Sequence, residues 1–433
     1  MTPTVMVAIA LAVVFLLIFL HVPIGIAMTL VGVAGFAALS GWNAALTLLS
    51  TEPASLLGNI DIAVIPLFLL MGALANISGI ADDIYDFANA LIGHIRGGLA
   101  LATVVGCGLF GSIAGSSVAT TAAFGRIALP QMRAHRYKPG LAAGAVAGGG
   151  TLGAMVPPSV ILVIYGLIAE QFILDLFVAA IVPAILAVAG YVAAIAIAAR
   201  LDPAAAPAAP RASRAAVLAA ARRCSGAFIL FLSVSGGIYS GVFTVTEAAS
   251  IGALLTLVIA LLRRRLTRAA ALEAMRETAA STAMIYVAIF GASILSYFIG
   301  LTKVAEDLVR LLQGLDLPPL AVIGLLVVMY LALGAVFDET AAMLVTLPFV
   351  LPLITSIGYH PIWWGIINLV VINLGMIIPP IGLNVFILHG LVPDISLGTI
   401  YRGVLPFIIA DLVRLGLLIL APGLSLWLLT VLK

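Results

Sequence analysis

The sequence has 433 residues, of which 64% are hydrophobic and 9% are charged, and its mean hydropathy is +1.27. This composition lies outside the range of soluble globular domains, so lipid must be the main solvent of the chain. The formal net charge is +2, and the Lys and Arg residues are confined to a few short segments. This excludes the broad basic face that nucleic-acid binding requires.

Apolar runs in the first half of the chain are long enough to cross a hydrocarbon core of about 30 Å. They predict spanning helices at about 5–21, 23–41, 61–78, 140–168 and 175–200. The first run lacks a basic start and a small-residue cleavage site, so it predicts a retained helix and not a signal peptide. A further apolar segment, at about 101–130, is interrupted in its middle by small and hydroxyl residues.

Three basic segments, at 126–138, 200–223 and 263–268, predict the cytoplasmic loops. The stretch 201–225 begins with a run rich in Ala and Pro, and we expect it to form a cytoplasmic linker between two halves, 1–200 and 226–433.

The second half repeats the pattern of the first. Its apolar runs predict helices at about 226–242, 244–262, 283–301, 360–390 and 400–430, with an interrupted segment at about 320–354. The motif from Thr151 to Ser159 is echoed from Asn373 to Ile381, and Gly153 and Pro157 are offset by 222 residues from Gly375 and Pro379. Such an offset is typical of a duplication.

These observations predict an all-α polytopic membrane protein built from two inverted repeats. Each repeat has about five transmembrane helices, and the odd number inverts the second repeat if each interrupted segment is a re-entrant helical hairpin. Hairpin one, at about 101–130, should open to the cytoplasm, because it ends in a basic loop. Hairpin two, at about 320–354, should open to the periplasm.

The interruption of hairpin one is a run of small and hydroxyl residues from Gly111 to Thr121. Free carbonyl and hydroxyl oxygens at membrane depth are tolerated only where they face protein or a watery cavity, and they suit a monovalent cation such as Na⁺. The alternative is tight helix packing through small residues.

The interruption of hairpin two, from Gly334 to Met343, contains two acidic residues, Asp338 and Glu339. Acidic residues in a membrane segment face the protein interior, meet a cation or are protonated. We expect Asp338 and Thr340 to lie near a cation. The alternative is that one of the acids pairs with a basic group near the periplasmic surface.

The two Pro-Pro sites, which include Pro157 and Pro379, should break their helices, because Pro lacks an N–H and clashes with the preceding turn. Broken helices expose ends whose partial charges can hold ions and carboxylates at the bilayer midplane. The candidates for the unwound stretches are Gly149, Gly150, Thr151, Gly153, Asn373 and Gly375.

Other buried polar residues have structural explanations. Asp411 and Arg414, three residues apart, should pair within the last helix, and Glu247 should act at a helix start. No basic residue lies in either interruption or beside either Pro-Pro site, so an anionic substrate would be held by helix ends, hydroxyls and bound cations. No Walker-type Gly-rich loop with Lys is present, which argues against ATP as the energy source.

At these motifs the sequence resembles the large membrane (M) subunit of tripartite ATP-independent periplasmic (TRAP) transporters, over essentially the whole chain. The matching segments are Gly111 to Thr120, Gly153 to Ser159, Gly236 to Ala249 and Tyr401 to Pro406. The resemblance implies an elevator-type, Na⁺-coupled transporter of the bacterial inner membrane, with no ATP and no organic cofactor. It implies two partners, a periplasmic substrate-binding protein (P subunit) and a small four-helix membrane subunit (Q), which we expect to be a separate chain.

The resemblance also assigns candidate site residues and a substrate class. It implies an organic acid as substrate, such as a C4-dicarboxylate, another carboxylate or sialic acid. The substrate-binding candidates are Ser116, Ser117, Thr120, Thr151, Pro157, Asn373 and Pro379. The Na⁺ candidates are Gly115, Ser116, Ser117, Gly153, Gly334, Asp338, Thr340 and Gly375. One departure, Val245 where the family often has Pro, falls on a helix away from these residues.

Two other functions compete with this interpretation. A stand-alone ion-coupled carboxylate symporter or antiporter would need no binding protein. An intramembrane protease would need a Ser–His dyad or two facing Asp residues, and the wide separation of Asp338 and Asp411 in the sequence disfavours it.

Overall fold

A computed structural model describes residues 3–304, 306–307, 309–310 and 318–432, and within them the chain is helical and contains no strand. The helices of the first half are α1 (Pro3–Phe19), α2 (Ile24–Ser40), α3 (Trp42–Gly58), α4 (Val64–Ser78), α5 (Ile80–Ile92), α6 (Gly98–Ala114), α7 (Ser117–Ala134), α8 (Pro139–Met155), α9 (Val160–Ile168) and α10 (Ile173–Leu201).

The helices of the second half follow a short connector. They are α11 (Arg214–Phe231, continued by a π-helical turn to Tyr239), α12 (Val245–Leu262), α13 (Arg268–Thr302), α14 (Pro319–Gly334), α15 (Glu339–Ser356), α16 (Pro361–Gly375), α17 (Leu383–Leu391), α18 (Leu397–Leu420) and α19 (Gly423–Leu432). Seven helical segments in the described part are long and apolar enough to cross a membrane, and the bent pair α8 and α9 forms an eighth if it is one span. The prediction of an all-helical polytopic membrane protein is confirmed.

Helices of the first half pack against helices of the second half and form an outer frame. Helix α2 of the first half packs along α13 of the second, and α12 of the second half packs along α4 of the first. The contact is close because glycines line it: a Cβ added to Gly25 would lie 2.4 Å from the carbonyl oxygen of Val287, and one added to Gly252 would lie 2.4 Å from Sδ of Met71. Small residues that let backbones approach are the usual basis of helix association in lipid.

The core of the protein is formed by the two helices that precede the Pro-Pro sites, α8 and α16. Every residue from Leu141 to Met155 and from Ile362 to Gly375 is buried. Helix α8 packs against α6, α7 and α18, and α16 packs against α14 and α15. The first break, at Pro157, Pro158 and Ser159, is buried as well, whereas Pro379, Pro380 and Ile381 of the second break are exposed.

Several boundaries differ from the sequence predictions. Helices α3 and α5 were not predicted, because α3 contains polar residues and Pro53 and because α5 is amphipathic, with three acidic residues on one side. The second part of the expected linker 201–225 is helical, since α11 begins at Arg214 behind the cap of Ser213. The last expected span, 400–430, is divided at Ala421 and Pro422 into α18 and α19.

Candidate functional site

The tip of hairpin one is a sharp reversal between α6 and α7. Gly115 ends α6 with a φ of +62°, a left-handed backbone conformation that residues other than glycine rarely adopt. Ser116 then caps α7, because its Oγ accepts a hydrogen bond from the backbone N–H of Ala119 at 3.3 Å. Thr120 Oγ1 donates to the carbonyl oxygen of Ser116 at 2.8 Å. The predicted interruption between Gly111 and Thr121 is confirmed.

The second arm of hairpin two also begins behind a side-chain cap, here a charged one, but its tip has no left-handed residue among 335–337. Helix α14 ends at Gly334, and Oδ1 of Asp338 accepts a hydrogen bond of 2.6 Å from the N–H of Ala341 at the start of α15. Among the described residues, neither Asp338 nor Glu339 forms an ion pair with a basic side chain, so the alternative of a surface pair has no support. Two carboxyl groups therefore lie at a helix break without a basic partner.

The two tips meet at Ser117. The carboxyl group of Glu339 faces the backbone N–H of Ser117, and Oε2 of Glu339 is buried without a hydrogen-bond partner. From the start of α17, Nδ2 of Asn384 donates to Oγ of Ser117 at 2.8 Å. Glu339 and Asn384 were not among the predicted site residues; the one sequence signal that could have suggested Asn384 is its position just after the second Pro-Pro break.

The Pro-Pro sites break both core helices, as predicted. Helix α8 ends at Met155 before Pro157, and α16 ends at Gly375 before Pro379. Pro157 and Pro379 each precede a cis peptide bond to the next proline.

Each break is held against the adjacent hairpin by glycines. A Cβ added to Gly153 would lie 2.5 Å from the carbonyl oxygen of Ser116 and 2.3 Å from Oγ1 of Thr120. In the second half, a Cβ added to Gly375 would lie 2.6 Å from the carbonyl carbon of Gly334. Because real Cβ atoms do not approach other atoms so closely, only glycine allows these hairpin-to-helix contacts.

Two predicted residues are engaged elsewhere. Thr151 Oγ1 donates to the carbonyl oxygen of Gly148 at 2.7 Å and lies 2.8 Å from the hydroxyl of Tyr191, which donates to Asp411 at 2.7 Å. Asp411 pairs with Arg414 at 2.8 Å, which confirms that prediction. Asn373 Nδ2 donates to its own helix at the carbonyl oxygen of Leu369, and its Oδ1 is buried without a partner.

A cavity of about 640 Å³ reaches the tips of both hairpins. Of the predicted site residues it is lined by Gly115, Ser116, Asp338 and Thr340, and Glu339 lines it as well. The remaining predicted residues do not line it; Pro379 is exposed, and the others are buried in the breaks and hairpin arms: Ser117, Thr120, Thr151, Gly153, Pro157, Gly334, Asn373 and Gly375. The cavity is bounded by α4 and α13 of the frame on one side and by α6, α7, α9 and α15 on the other.

The chemistry of the cavity end is that of hard oxygen ligands. It offers hydroxyl, carboxylate and backbone carbonyl oxygens, which suit a hard cation. No group of three or more His, Cys, Asp or Glu side chains that could hold a metal occurs in the described residues. The site can therefore bind a small cation through mixed backbone and side-chain oxygens, together with a ligand of the cavity's size.

Known proteins are similar to this chain in sequence and in fold. The family model "Tripartite ATP-independent periplasmic transporter, DctM component" matches residues 11–424. The C4-dicarboxylate TRAP transporter large permease protein DctM of Pseudomonas aeruginosa is 36% identical over 363 residues, 84% of each chain. The sialic acid TRAP transporter large permease protein SiaM of Vibrio cholerae is 28% identical over 415 residues, 95% of each chain.

A solved structure adds a likeness of fold. The crystal structure of the Alcanivorax borkumensis YdaH transporter, described as having an unusual topology, superposes with a TM-score of 0.61 at 17% identity and covers 88% of both chains.

Proposed function

The chain belongs to the family of DctM components of tripartite ATP-independent periplasmic transporters, and from that premise we propose that it imports an organic acid by Na⁺-coupled, elevator-type transport. It is the large membrane subunit of a TRAP transporter and not an enzyme. The observation that carries the proposal is the cavity at whose inner end both hairpin tips meet, where two carboxyl groups have no basic partner among the described residues.

Cation coupling follows from the charge of the site. When ionised, Asp338 and Glu339 at the tip of hairpin two repel an anionic substrate. Bound Na⁺ removes this repulsion and supplies the positive charge that the tips lack. Each Na⁺ that moves inward gains about 2.3 kcal/mol per 100 mV of membrane potential, so a few ions can drive accumulation.

Within this proposal both hairpin tips supply Na⁺ ligands, and part of the site faces the substrate. The Na⁺ ligands are backbone and side-chain oxygens at Gly115, Ser116, Ser117 and Gly153 of the first half and at Gly334, Asp338, Thr340 and Gly375 of the second. Ser116, which lines the cavity, and the start of α9 beyond the first Pro-Pro break face the substrate carboxylate.

Movement between two bodies would give alternating access. The frame of α2, α4, α12 and α13 is held by close glycine contacts, and the cavity lies between part of α4 and α13 and the hairpin that contains α6 and α7, although α4 also contacts α6 at Gly72 and Ala114. Sliding of the hairpins and core helices along this boundary would carry the site across the membrane without rebuilding it.

The partners and location follow from the family. A tripartite transporter has two further components, so we infer a periplasmic substrate-binding protein and a small membrane subunit, and we infer the bacterial inner membrane as the location. Relatives are named for C4-dicarboxylate and for sialic acid, so the substrate class is a carboxylate.

The test is uptake by the complete transporter in proteoliposomes, with the binding protein outside and a membrane potential, negative inside. The radiolabelled probes are succinate and N-acetylneuraminate. We expect accumulation of one of them with external Na⁺ and none when K⁺ or choline replaces Na⁺. Accumulation that is insensitive to Na⁺ would refute the coupling, and accumulation without the binding protein would favour a stand-alone symporter.

A further inference from the structure

The cavity that reaches the hairpin tips has charged walls at its other end. Arg126 on α7 and Glu273 and Glu277 on α13 line it there, and Arg126 is the only basic side chain among its described lining residues. All three residues are exposed, and none of their side chains forms a hydrogen bond or ion pair within the part of the chain that the structure describes. By contrast, Arg133 on the same helix pairs with Asp394.

The arginine is placed on a direct path from the tip of hairpin one. Ser116, Ala119, Ala123 and Arg126 all line the cavity, at the spacing of one helix face. Ten residues separate Ser116 from Arg126, which corresponds to about 15 Å along a helix axis. Arg126 therefore lies on the same wall of the cavity as the tip of hairpin one.

The opposite wall carries the other sign of charge. Glu273, Glu277 and Ser281 line the cavity at intervals of four residues, which places them on one face of α13. Carboxylates on this wall attract cations and repel an anion, which moves toward α7.

We propose that Arg126 is a second binding site for the carboxylate of the transported acid, used on release to the cytoplasm; this rests on the proposed function. Once the cations leave the tips, Asp338 and Glu339 repel the acid, and Arg126 is the positive group that receives it. A guanidinium group presents a fork of N–H donors that matches a carboxylate. The acidic wall of α13 gives the departing cations a separate path.

The first experiment uses the purified complete permease and phenylglyoxal, which modifies free arginine side chains, with the extent at each arginine read by mass spectrometry. The probe is succinate, and the matched neutral compound is succinamide. Succinate should slow the modification of Arg126 at least about fivefold more than succinamide does, as expected for a charge-assisted pair. Arg133, already paired with Asp394, is the internal control and should show no such difference.

The second experiment measures efflux by Arg126→Gln from proteoliposomes preloaded with the radiolabelled acid that the uptake assay identifies, over a range of internal concentrations. The internal concentration of acid that gives half-maximal efflux should rise about tenfold, while the external Na⁺ dependence stays unchanged. Arg126→Lys should recover part of the loss, and Arg133→Gln should behave like the wild type.

The outcomes separate this inference from the proposed function. Equal effects of succinate and succinamide on Arg126 would overturn the inference, whatever the uptake assay shows. Failure of the wild type to accumulate either acid with Na⁺ would overturn the proposed function instead. If Glu273→Gln with Glu277→Gln reproduces the Arg126→Gln defect and charge exchange between α7 and α13 restores transport, Arg126 closes the cavity by pairing with α13 and does not bind the acid.

Discussion

Replacement of Asp338 by Asn separates its two roles at the tip of hairpin two. Asp338 caps α15 through the 2.6 Å hydrogen bond from the N–H of Ala341, and Asn caps helices as well as Asp. The variant therefore keeps the fold but loses the negative charge that the proposed Na⁺ site uses. A charge-assisted contact contributes about 1.5 to 3 kcal/mol, so we expect the half-saturating Na⁺ concentration to rise about tenfold to a hundredfold.

The assay is thermal unfolding of the purified permease over a series of NaCl concentrations at constant total salt with KCl. The wild type should be stabilised by Na⁺, and Asp338→Asn should need more Na⁺ for the same shift while unfolding at the same temperature without Na⁺. Asp338→Ala loses the cap as well and should be less stable by about 1 kcal/mol.

A cap distant from the cavity provides the control. Ser213 caps α11 by accepting from the N–H of Ala216 at 3.1 Å, so Ser213→Ala should lower stability and leave the Na⁺ dependence unchanged. If Asp338→Asn keeps its Na⁺ half-saturation within about twofold of the wild type, the charge is not part of a Na⁺ site and the reasoning from the helix break is wrong.

Three further substitutions test the site and its support. Ser117→Leu should abolish Na⁺-driven uptake, because Ser117 is fully buried and its Oγ accepts from Asn384; retained uptake would place the site elsewhere. Gly375→Ala should destabilise the permease by about 1 to 3 kcal/mol in thermal unfolding, since its Cβ would lie 2.6 Å from the carbonyl carbon of Gly334. Tyr191→Phe should cost about 1 kcal/mol in the same assay and leave Na⁺ half-saturation unchanged, because it removes a hydrogen bond to buried Asp411 but no proposed ligand.

The glycine prediction has a matched control in the same half of the chain. Gly390 on α17 has no heavy atom within 4 Å of an added Cβ, so Gly390→Ala should be tolerated. Equal loss of stability in the two alanine variants would show that helix propensity, and not contact with Gly334, sets the cost at Gly375. A Tyr191→Phe variant with wild-type stability would show that the buried network is not held by that hydroxyl group.

The helix breaks could be predicted from the sequence because their causes are local. Gly115 supplies the left-handed turn and Ser116 the cap of hairpin one, and both residue types favour helix ends in any surroundings. The Pro-Pro pairs at Pro157 and Pro379 likewise act on their own turn. The Pro-Pro pairs and the caps Ser116 and Asp338 recur at an offset of 222 residues, and the division into two inverted repeats stays a prediction.

The amphipathic helix α5 could not be predicted by the same means. Its three acidic residues lower its hydropathy below that of a membrane span, and the structure pairs them with basic residues that follow far along the chain. The pairs are Asp82 with Arg265, Asp83 with Arg263 and Asp86 with Arg223. Only the tertiary fold brings these charges together, so a search for apolar runs passes over the helix.

The contact between the two hairpins could not be predicted from the sequence for a related reason. Ser117, Glu339 and Asn384 come from three separate parts of the chain, and each has an ordinary local explanation. Asn384 begins a short helix, and Glu339 stands in the first turn of another. Their shared surroundings follow from the packing of α17 against α7, which sequence spacing does not reveal.

The two tips have equivalent caps but unequal charge. Ser116 and Asp338 are 222 residues apart, the same offset as Gly153 and Gly375, and each caps the second arm of its hairpin. If each tip holds one Na⁺, a hydroxyl faces the first ion and a carboxylate faces the second. The ion at hairpin two should therefore bind more tightly and first, since a charged ligand adds attraction that a neutral hydroxyl does not. The weaker site, at hairpin one, would then fill when the acid arrives. The negative charge of the acid compensates for the carboxylate that the cap of hairpin one lacks.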